Sequence, residues 1–514
     1  MVKWYIATEA AMKRRHGRWH PVLAGLLLLA CVSLWLQWSE LPSSRFAVHL
    51  EPLSPEDEGA GWRRDTPLTR ADIADDLRHM VRLHDACMTK AESHIITWRH
   101  GIDQDHNNSA LIPRNDTKRL YNELKRCPDV DVYHPDRCMG SGYCEDFAAF
   151  TKYLESRILP QWAINMTFVD PATGRSVSYM DLCPTTPLLV FNHYADDLLT
   201  SSLWPTSKPV YLMPNIEMHE LGSFHLRRAD VVLCRTRVCV QHIRAWYKQY
   251  DDPQKHKVVY TRHTSTDPVT RARMATPGGA SDAKGWEISD KRFEDLRFLH
   301  TAGGSPYKGT TEVLDCWLSK PQLPPLDLYI HEDRYNASFQ STYGGFIAYS
   351  KNVHLHTGNF DAQSFAQVTA QAAYFLGPSV QEGYGHYLNQ ARASGGLIIT
   401  TDVPPMNELV DNTTGLLERT RRAIDPHQLL GGDFSGPFSL HTEGLVAVTD
   451  GLDICRAVQE MIAGTDAVKR RVLAQSAQQR YFQDTRFFAE RMKQVKLHAQ
   501  DTSRGNHPAL RVEA

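Results

Sequence analysis

Gly377-Pro-Ser-Val-Gln-Glu382-Gly-Tyr-Gly-His386 opens a run that continues YLNQARASGGLIITTDVPPMNELV to Val410 and places a strand end, a glycine turn, a helix and a second strand in sequence. The apolar Tyr374-Phe375-Leu376 can close a buried parallel strand, which Pro378 and Ser379 break. The turn Glu382-Gly383-Tyr384-Gly385 then leads into a run of helix formers from His386 to Ser394. Gly395-Gly396 stops that helix before the strand Leu397-Ile398-Ile399. A βαβ unit with glycines at its first turn lets backbone approach a ligand closely and aims the free N–H groups of a helix start at it, an arrangement that favours phosphate. Phosphate repels carboxylate, so beside an anion site Glu382 suits neutral hydroxyls as a hydrogen-bond acceptor, as a nucleotide-sugar would supply. The competing reading of Glu382 is a surface residue in a strand-to-helix loop, since such turns are common in parallel α/β sheets.

Upstream, Leu299-His-Thr-Ala-Gly303-Gly304-Ser305-Pro-Tyr-Lys308-Gly309-Thr310 also runs from strand to helix. A P-loop needs its lysine after the second glycine, and Lys308 precedes Gly309, so that reading fails. The turn still offers an ammonium to a diphosphate, with a solvated loop lysine as the plain alternative.

Taken together, these segments resemble the C-terminal lobe of GT-B glycosyltransferases, especially the retaining enzymes of family 4. The signature of that family, E-G-F-G-x-x-x-x-E followed by A-x-G-x-P-V-I and E-L-V, falls here on Glu382 to Gly385, Ala393 to Ile399, and Glu408-Leu409-Val410. The resemblance implies that Glu382 contacts donor-sugar hydroxyls and that position 390 contacts the ribose. It also implies that Lys308 holds the donor diphosphate, with Gly304, Ser305, Gly383, Tyr384, Gly385 and His386 around it. His386 alternatively caps its helix. Two departures stand out. Gln390 replaces the second glutamate and loses charge-assisted hydrogen bonding, and no arginine lies between His300 and Lys308 to share the diphosphate.

A chain of 514 residues exceeds what one core supports, so two lobes and appendages are expected. The fold class expected is α/β of GT-B type, two Rossmann-like lobes with a donor cleft between them, behind an N-terminal transmembrane helix. Apolar strands near Phe298–Ala302, Leu326–Ile330, Val353–His356, Tyr374–Leu376 and Leu397–Thr401 alternate with helical patterns such as Asp361–Ala373. Earlier, Leu188–Phe191, Val210–Leu212 and Val231–Leu233 read as strands and Val240–Tyr250 as a helix. Pro268 to Asp290 lacks apolar periodicity and reads as a connector. The divisions are 1–20 tail, 21–38 anchor, 39–70 stem, 71–267 acceptor-side lobe, 268–291 linker, 292–464 donor lobe, and 465–514 C-terminal helix and tail.

Pro21–Trp38 is nearly continuous apolar sequence, and at ~1.5 Å per residue it spans about 27 Å, enough for a thin bilayer. Lys3, Lys13, Arg14, Arg15 and Arg18 precede it, so the positive-inside rule makes this a type II signal anchor with the remainder in the Golgi or ER lumen. A cleaved signal peptide is the alternative, disfavoured by the length of the run and the lack of an A-x-A site. Sequons at Asn107, Asn115, Asn165, Asn336 and Asn412 suit that compartment. So do the cysteines beyond the anchor: Cys87, Cys127, Cys138, Cys144 and Cys183 crowd one region with pairing undetermined, and their odd number implies that one pairs elsewhere.

A formal charge of −2 without a basic stripe beyond the N-terminal tail excludes nucleic acid as the expected partner. The cysteine and histidine spacing matches no zinc site, and the D-x-D patterns at Asp103–Asp105 and Asp129–Asp131 follow no apolar strand, so a resident metal is not expected. His193 and Glu217, each just after a strand, are the acceptor-side catalytic candidates beside Glu382. No cofactor is expected beyond a nucleotide-sugar co-substrate. The acceptor expected is a glycan, glycoprotein or glycolipid. Two further readings stay open: a catalytically silent luminal binding protein, and a sugar-nucleotide epimerase of the same fold.

Overall fold

The computed structural model describes residues 53–55, 57–59, 67–102, 108–136, 138, 141–192, 199, 204–218, 221–249, 257–274, 288–423, 429–430, 440–441 and 445–503. All of these fall in one compact unit, His49–Ala514. The apolar run 21–38 lies outside them, and no helix of the described residues is long and apolar enough to cross a membrane.

The first lobe is an eight-stranded sheet. Its strands are β1 (His94–Thr97), β2 (Leu111–Pro113), β3 (Asp131–His134), β4 (Arg157–Pro160), β5 (Leu188–Phe191), β6 (Val210–Met213), β7 (Val231–Cys234) and β8 (Lys257–Tyr260), in the order β8-β7-β6-β5-β3-β4-β1-β2. Pairing is parallel from β8 to β4, and β1 and β2 add an antiparallel edge. Strands β3 to β7 are buried throughout, as expected where helices cover both faces. Charge enters this core with its partners. Asp131 Oδ1 and Oδ2 accept from Arg157 at 2.7 and 3.1 Å, and Tyr179 Oη donates to Oδ2 at 2.8 Å. The D-x-D pattern at Asp129–Asp131 is thus spent on sheet packing. The pattern at Asp103–Asp105 lies outside the described residues.

The second lobe is a six-stranded, wholly parallel sheet. It comprises β9 (Phe298–Gly303), β10 (Leu326–Ile330), β11 (Val353–Thr357), β12 (Tyr374–Gly377), β13 (Leu397–Thr401) and β14 (Leu416–Glu418), ordered β11-β10-β9-β12-β13-β14. This is the doubly wound order, whose direction of winding reverses between β9 and β12. The sequence pattern places all of these strands but β14, which is only three residues long and has one buried position.

Five helices position the site. They are α1 (Ala74–Lys90), α2 (Ser141–Tyr153), α3 (Pro268–Arg273), α4 (Thr310–Ser319) and α5 (His386–Ser394). The expected connector therefore opens as a buried helix. Asp267 accepts at its start from the N–H groups of Val269 and Thr270, Pro268 fits the first turn, and Val269 and Ala272 pack against Ala370. Six residues are too few for periodicity to register, although the Asp-Pro pair is a helix-start signal. Residues 275–287 lie outside the described residues.

The last helix, α6 (Ala467–Ser503), returns across both lobes. Tyr481 and Phe482 pack near Ala393, whereas Phe488, Met492, Val495 and Ala499 join the core of the first lobe. Asp484 accepts from Arg262 and from Arg392 at 2.6 Å each, pinning the first-lobe edge to α5. The E-L-V element is a second pin. The Glu408 carboxylate accepts from the N–H groups of Arg237 and Val238 at 2.6 and 2.8 Å and so caps a first-lobe helix, Arg237–Gln249.

Disulfides join Cys87 to Cys144, Cys127 to Cys183, Cys234 to Cys239, and Cys316 to Cys455. The odd cysteine of the crowded region is Cys138. Contrary to the expectation of a distant partner it is a free thiol, and burial pushes its pKa up to about 12.

Candidate active site

The winding reversal in the second lobe splays the loops after β9 and β12 apart, and a ligand crevice opens at such a point. The two loops are tied at their base. Val380 N donates to Tyr307 O at 2.8 Å, and a Cβ added to Gly309 would stand 2.2 Å from Pro378 O, so only glycine fits there at φ +66°. The tie brings Lys308 of one loop against Glu382 of the other, and Lys308 Nζ donates to Glu382 Oε1. Ser379 Oγ donates to the same oxygen at 2.7 Å, and the Lys308 ammonium also sits 3.9 Å from the Tyr387 ring centroid. Gly385, φ +94°, immediately precedes helix α5, and no side chain caps the helix's free N–H groups.

The first lobe supplies the facing wall. Glu217 follows β6 and reaches Gly383, where an added Cβ would lie 2.2 Å from Glu217 Oε1. Gln381 Nε2 donates to Glu217 O at 3.1 Å, so the two lobes meet at this loop. Burial pushes the Glu217 carboxyl up to about 7; Arg235 opposes this, while Glu382 and Asp146 reinforce it. Arg235, just past β7, donates to Asp146 Oδ1 at 2.7 Å and faces the Tyr384 ring. The same Asp146 oxygen lies 2.8 Å from His263 Nε2 and 3.3 Å from His386 Nε2. Although burial works against it, Arg235, His386 and His263 hold Asp146 well below the usual carboxylate range. Burial lowers His263 to about 4, so it is neutral at physiological pH.

The loops and this wall enclose a cavity of about 2120 Å³. Ligand pockets are commonly about 300–1,000 Å³, so this space can hold two substrates at once. Gly304, Ser305, Lys308, Glu382, Gly383, Gly385, His386, Gln390 and Glu217 all line it. His193 lies outside the described residues.

Three expected donor contacts are otherwise engaged. The Tyr384 side chain is buried and its hydroxyl donates to His263 O at 3.0 Å, which leaves backbone as its offering to a ligand. The His386 ring turns toward the first lobe, with Nδ1 2.9 Å from Ser265 Oγ, rather than capping its helix. Gln390 Nε2 donates to Glu145 Oε1 at 2.8 Å, so the residue in the place of the family's second glutamate spans the lobes.

Sequence reasoning misses Glu145, Asp146, Arg235 and His263. Glu145 and Asp146 sit in α2, just past the winding reversal of the first sheet between β3 and β5, and the short strands there gave no motif to anchor them. Asp146, His263 and His386 each present one ligand atom within 4.8 Å of the others, a donor set suited to a divalent cation. Arg235 already donates to the Asp146 oxygen that faces both imidazoles.

Fold and site together define a two-lobed α/β protein with a cleft at the sheet switch points. No family model matches the chain, and no curated protein matches its sequence. Among solved structures it is similar to the pneumococcal O-GlcNAc transferase GtfA in complex with UDP and GlcNAc, at 12% identity and TM-score 0.42, covering 62% of this chain and 57% of that one. It is also similar to HepE from Anabaena in complex with UDP and glucose, at 12% identity and TM-score 0.45, covering 73% of this chain and all of that one. A third is the α,α-trehalose 6-phosphate synthase from Burkholderia multivorans, at 12% identity and TM-score 0.41, covering 63% and 72% of the respective chains. The match thus spans less than two thirds of the first of these proteins. These are likenesses of fold layout, and the site stands on its own residues.

Proposed function

We propose that this chain is a glycosyltransferase that moves a sugar from a nucleotide-sugar donor to a glycan, glycoprotein or glycolipid acceptor, with retention and without a resident metal. The observation that carries the reading is the contact between Lys308 and Glu382 at the crevice, beside the uncapped start of α5. A diphosphate entering there meets the Lys308 ammonium and free N–H groups, which stabilise charge as it develops on the leaving group. Glu382, freed from Lys308, accepts hydrogen bonds from sugar hydroxyls and fixes the sugar in place. Glu217 reaches this loop from the other lobe with a raised pKa, which suits a group that takes the acceptor's proton near neutral pH. Retention rests on the resemblance of the Glu382–Val410 stretch to family 4.

A type II anchor holding the site in the Golgi or ER lumen belongs to the same proposal. The four disulfides support it. So do the sequon residues Asn115, Asn165, Asn336 and Asn412, each exposed.

The test is thermal shift and donor hydrolysis of the purified full-length chain against UDP- and GDP-sugars, with and without EDTA. Turnover of one donor that resists EDTA and is lost in Lys308→Ala supports the transferase. Stabilisation by a donor without turnover, even with acceptors present, supports the silent binding protein, which the tethering of Gln390 to Glu145 favours.

A further inference from the structure

The cavity does not end at the donor crevice. It continues along the first lobe beside α1 and the turn after β1, where Arg82, Lys90, Arg99 and Arg271 line it. Among the described residues here, Asp85 is already engaged, because Arg271 Nη1 donates to it while Arg271 Nη2 lies 2.9 Å from His84 Nδ1, and Glu145 lies 3.5 Å from His84 Nε2 and accepts from Thr266 and Gln390. Among the described residues no carboxylate forms an ion pair with Arg82, Lys90 or Arg99.

Arg82 is held in place. Its aliphatic stem lies across Gly101, φ +85°, where an added Cβ would be 2.6 Å from Arg82 Cδ, and its Nη1 donates to Gly101 O. The turn carrying Arg99 is closed by His100 N to Thr97 O at 2.9 Å and Ile102 N to Arg99 O at 3.3 Å. Trp98, Met88 and Ile102 give the arm apolar walls, and the latter two are each 45% exposed. Cations that no described carboxylate neutralises, set beside apolar surface, attract an anion more strongly than the same cations in open water. They concentrate here in a chain whose formal charge is −2.

The opposite end of the cavity, at the lobe interface, carries the carboxylates Glu217, Glu382 and Asp146. A cavity polarised in this way orients what enters it. In the proposed reaction Lys308 at the carboxylate end serves the donor diphosphate, so a second anionic group, carried by the acceptor, is drawn to the arm, which leaves a neutral hydroxyl to face Glu217.

We propose that this arm is an acceptor subsite for a saccharide bearing a phosphate, sulfate or carboxylate, with Arg82, Lys90 and Arg99 reading the charge and Trp98 stacking on the sugar. This rests on the glycosyltransferase reading. It is tested by calorimetric binding of matched pairs to the full-length chain with UDP present: glucose 6-phosphate, glucose 6-sulfate and methyl glucuronide, each against its neutral parent.

The expected result is that at least one anionic member binds ten-fold or more tightly than its parent, and the member that does so names the source of the charge. The preference should shrink as salt rises and disappear in the variant combining Arg82→Gln, Lys90→Gln and Arg99→Gln. Circular dichroism of that variant confirms its fold, with the single Arg99→Gln, on an exposed turn, as a milder check. Equal binding of charged and neutral members, binding of neither, or a preference that survives the triple change overturns the proposal. The UDP-sugar response of the same wild-type sample is read separately. Its absence alongside a retained charge preference counts against the transferase reading and leaves an anionic-saccharide site.

Discussion

Gly383→Ala separates the chemistry of the cleft from the stability of the fold. The new Cβ would stand 2.2 Å from Glu217 Oε1 and 2.8 Å from both Glu217 Cδ and Oε2. Non-bonded heavy atoms settle at roughly 3.5–4.0 Å, so the carboxylate must retreat by about 1 Å. Gly383 is not among the glycines with left-handed φ, and the atoms it meets are the far end of a flexible side chain. The fold should therefore lose less than about 1 kcal/mol. Misplacing a reacting group by about 1 Å costs on the order of 10²-fold in rate, or about 2.7 kcal/mol in the barrier. The assay is kcat for transfer alongside the thermal midpoint, measured for Gly383→Ala, Glu217→Ala and the double variant. If the effect runs through Glu217, adding Gly383→Ala to Glu217→Ala costs nothing more, because the carboxylate it displaces has gone. Wild-type kcat in Gly383→Ala, or a further 10²-fold loss in the double variant, would refute the placement of Glu217 against the Glu382–Gly385 turn.

Gly309→Ala should behave in the opposite way. It meets the backbone oxygen of Pro378 at 2.2 Å in a left-handed conformation, so roughly 2–5 kcal/mol of stability is lost, read as a large drop in denaturant midpoint. Lys308→Met should reduce donor turnover by at least about 10²-fold with the fold retained by circular dichroism, and a smaller loss would remove Lys308 from the diphosphate site. Because the folded Glu217 carboxyl titrates near 7 instead of its ordinary 4.5, the folded protein keeps a proton that the unfolded chain has released. Its contribution to stability therefore falls as pH rises from about 4.5 to about 7, while transfer, which needs the carboxylate, rises through about 7. Glu217→Gln should flatten the pH dependence of transfer and remove this one component of the stability profile. What remains combines a fall from Glu418, which burial also pushes up to about 7, with an opposing rise from buried histidines such as His263 and His300, which burial lowers to about 4. Reduction should destabilise the chain by about 4–5 kcal/mol for each long-range disulfide, read as a fall in thermal midpoint with dithiothreitol, since Cys87–Cys144, Cys127–Cys183 and Cys316–Cys455 close loops of 57, 56 and 139 residues.

The two crevice loops of the second lobe were legible because their signals are local. The run from Tyr374 to Thr401 carries strand, turn and helix in order, and the observed helix His386–Ser394 and strand Leu397–Thr401 match the sequence reading. The strand-to-helix turns place Lys308 and Glu382 by chain geometry, since each directly follows a central parallel strand. Burial on both faces makes those strands continuous apolar runs that need no partner to be seen. What lay beyond the sequence is whatever depends on residues far apart in the chain. Gln390 reads as a weakened donor ligand until Glu145, 245 positions away, is seen to hold its amide. Tyr384 sits inside the motif, yet a buried hydrogen bond to His263 takes up its hydroxyl. Asp146, Arg235 and His263 belong to no motif, and contacts between residues far apart in the chain, among them the return of α6 across both lobes and the capping of a first-lobe helix by Glu408, bring that wall against the crevice loops. Sequence by itself determined the parallel strands, the phosphate-suited turns and the lysine and glutamate they present, because backbone preference and local burial act over a few residues. The tertiary structure alone decided which carboxylates face that pair, which glycine is held free of a side chain by its neighbour across the cleft, and where the cavity turns basic, because charge and close approach act through space.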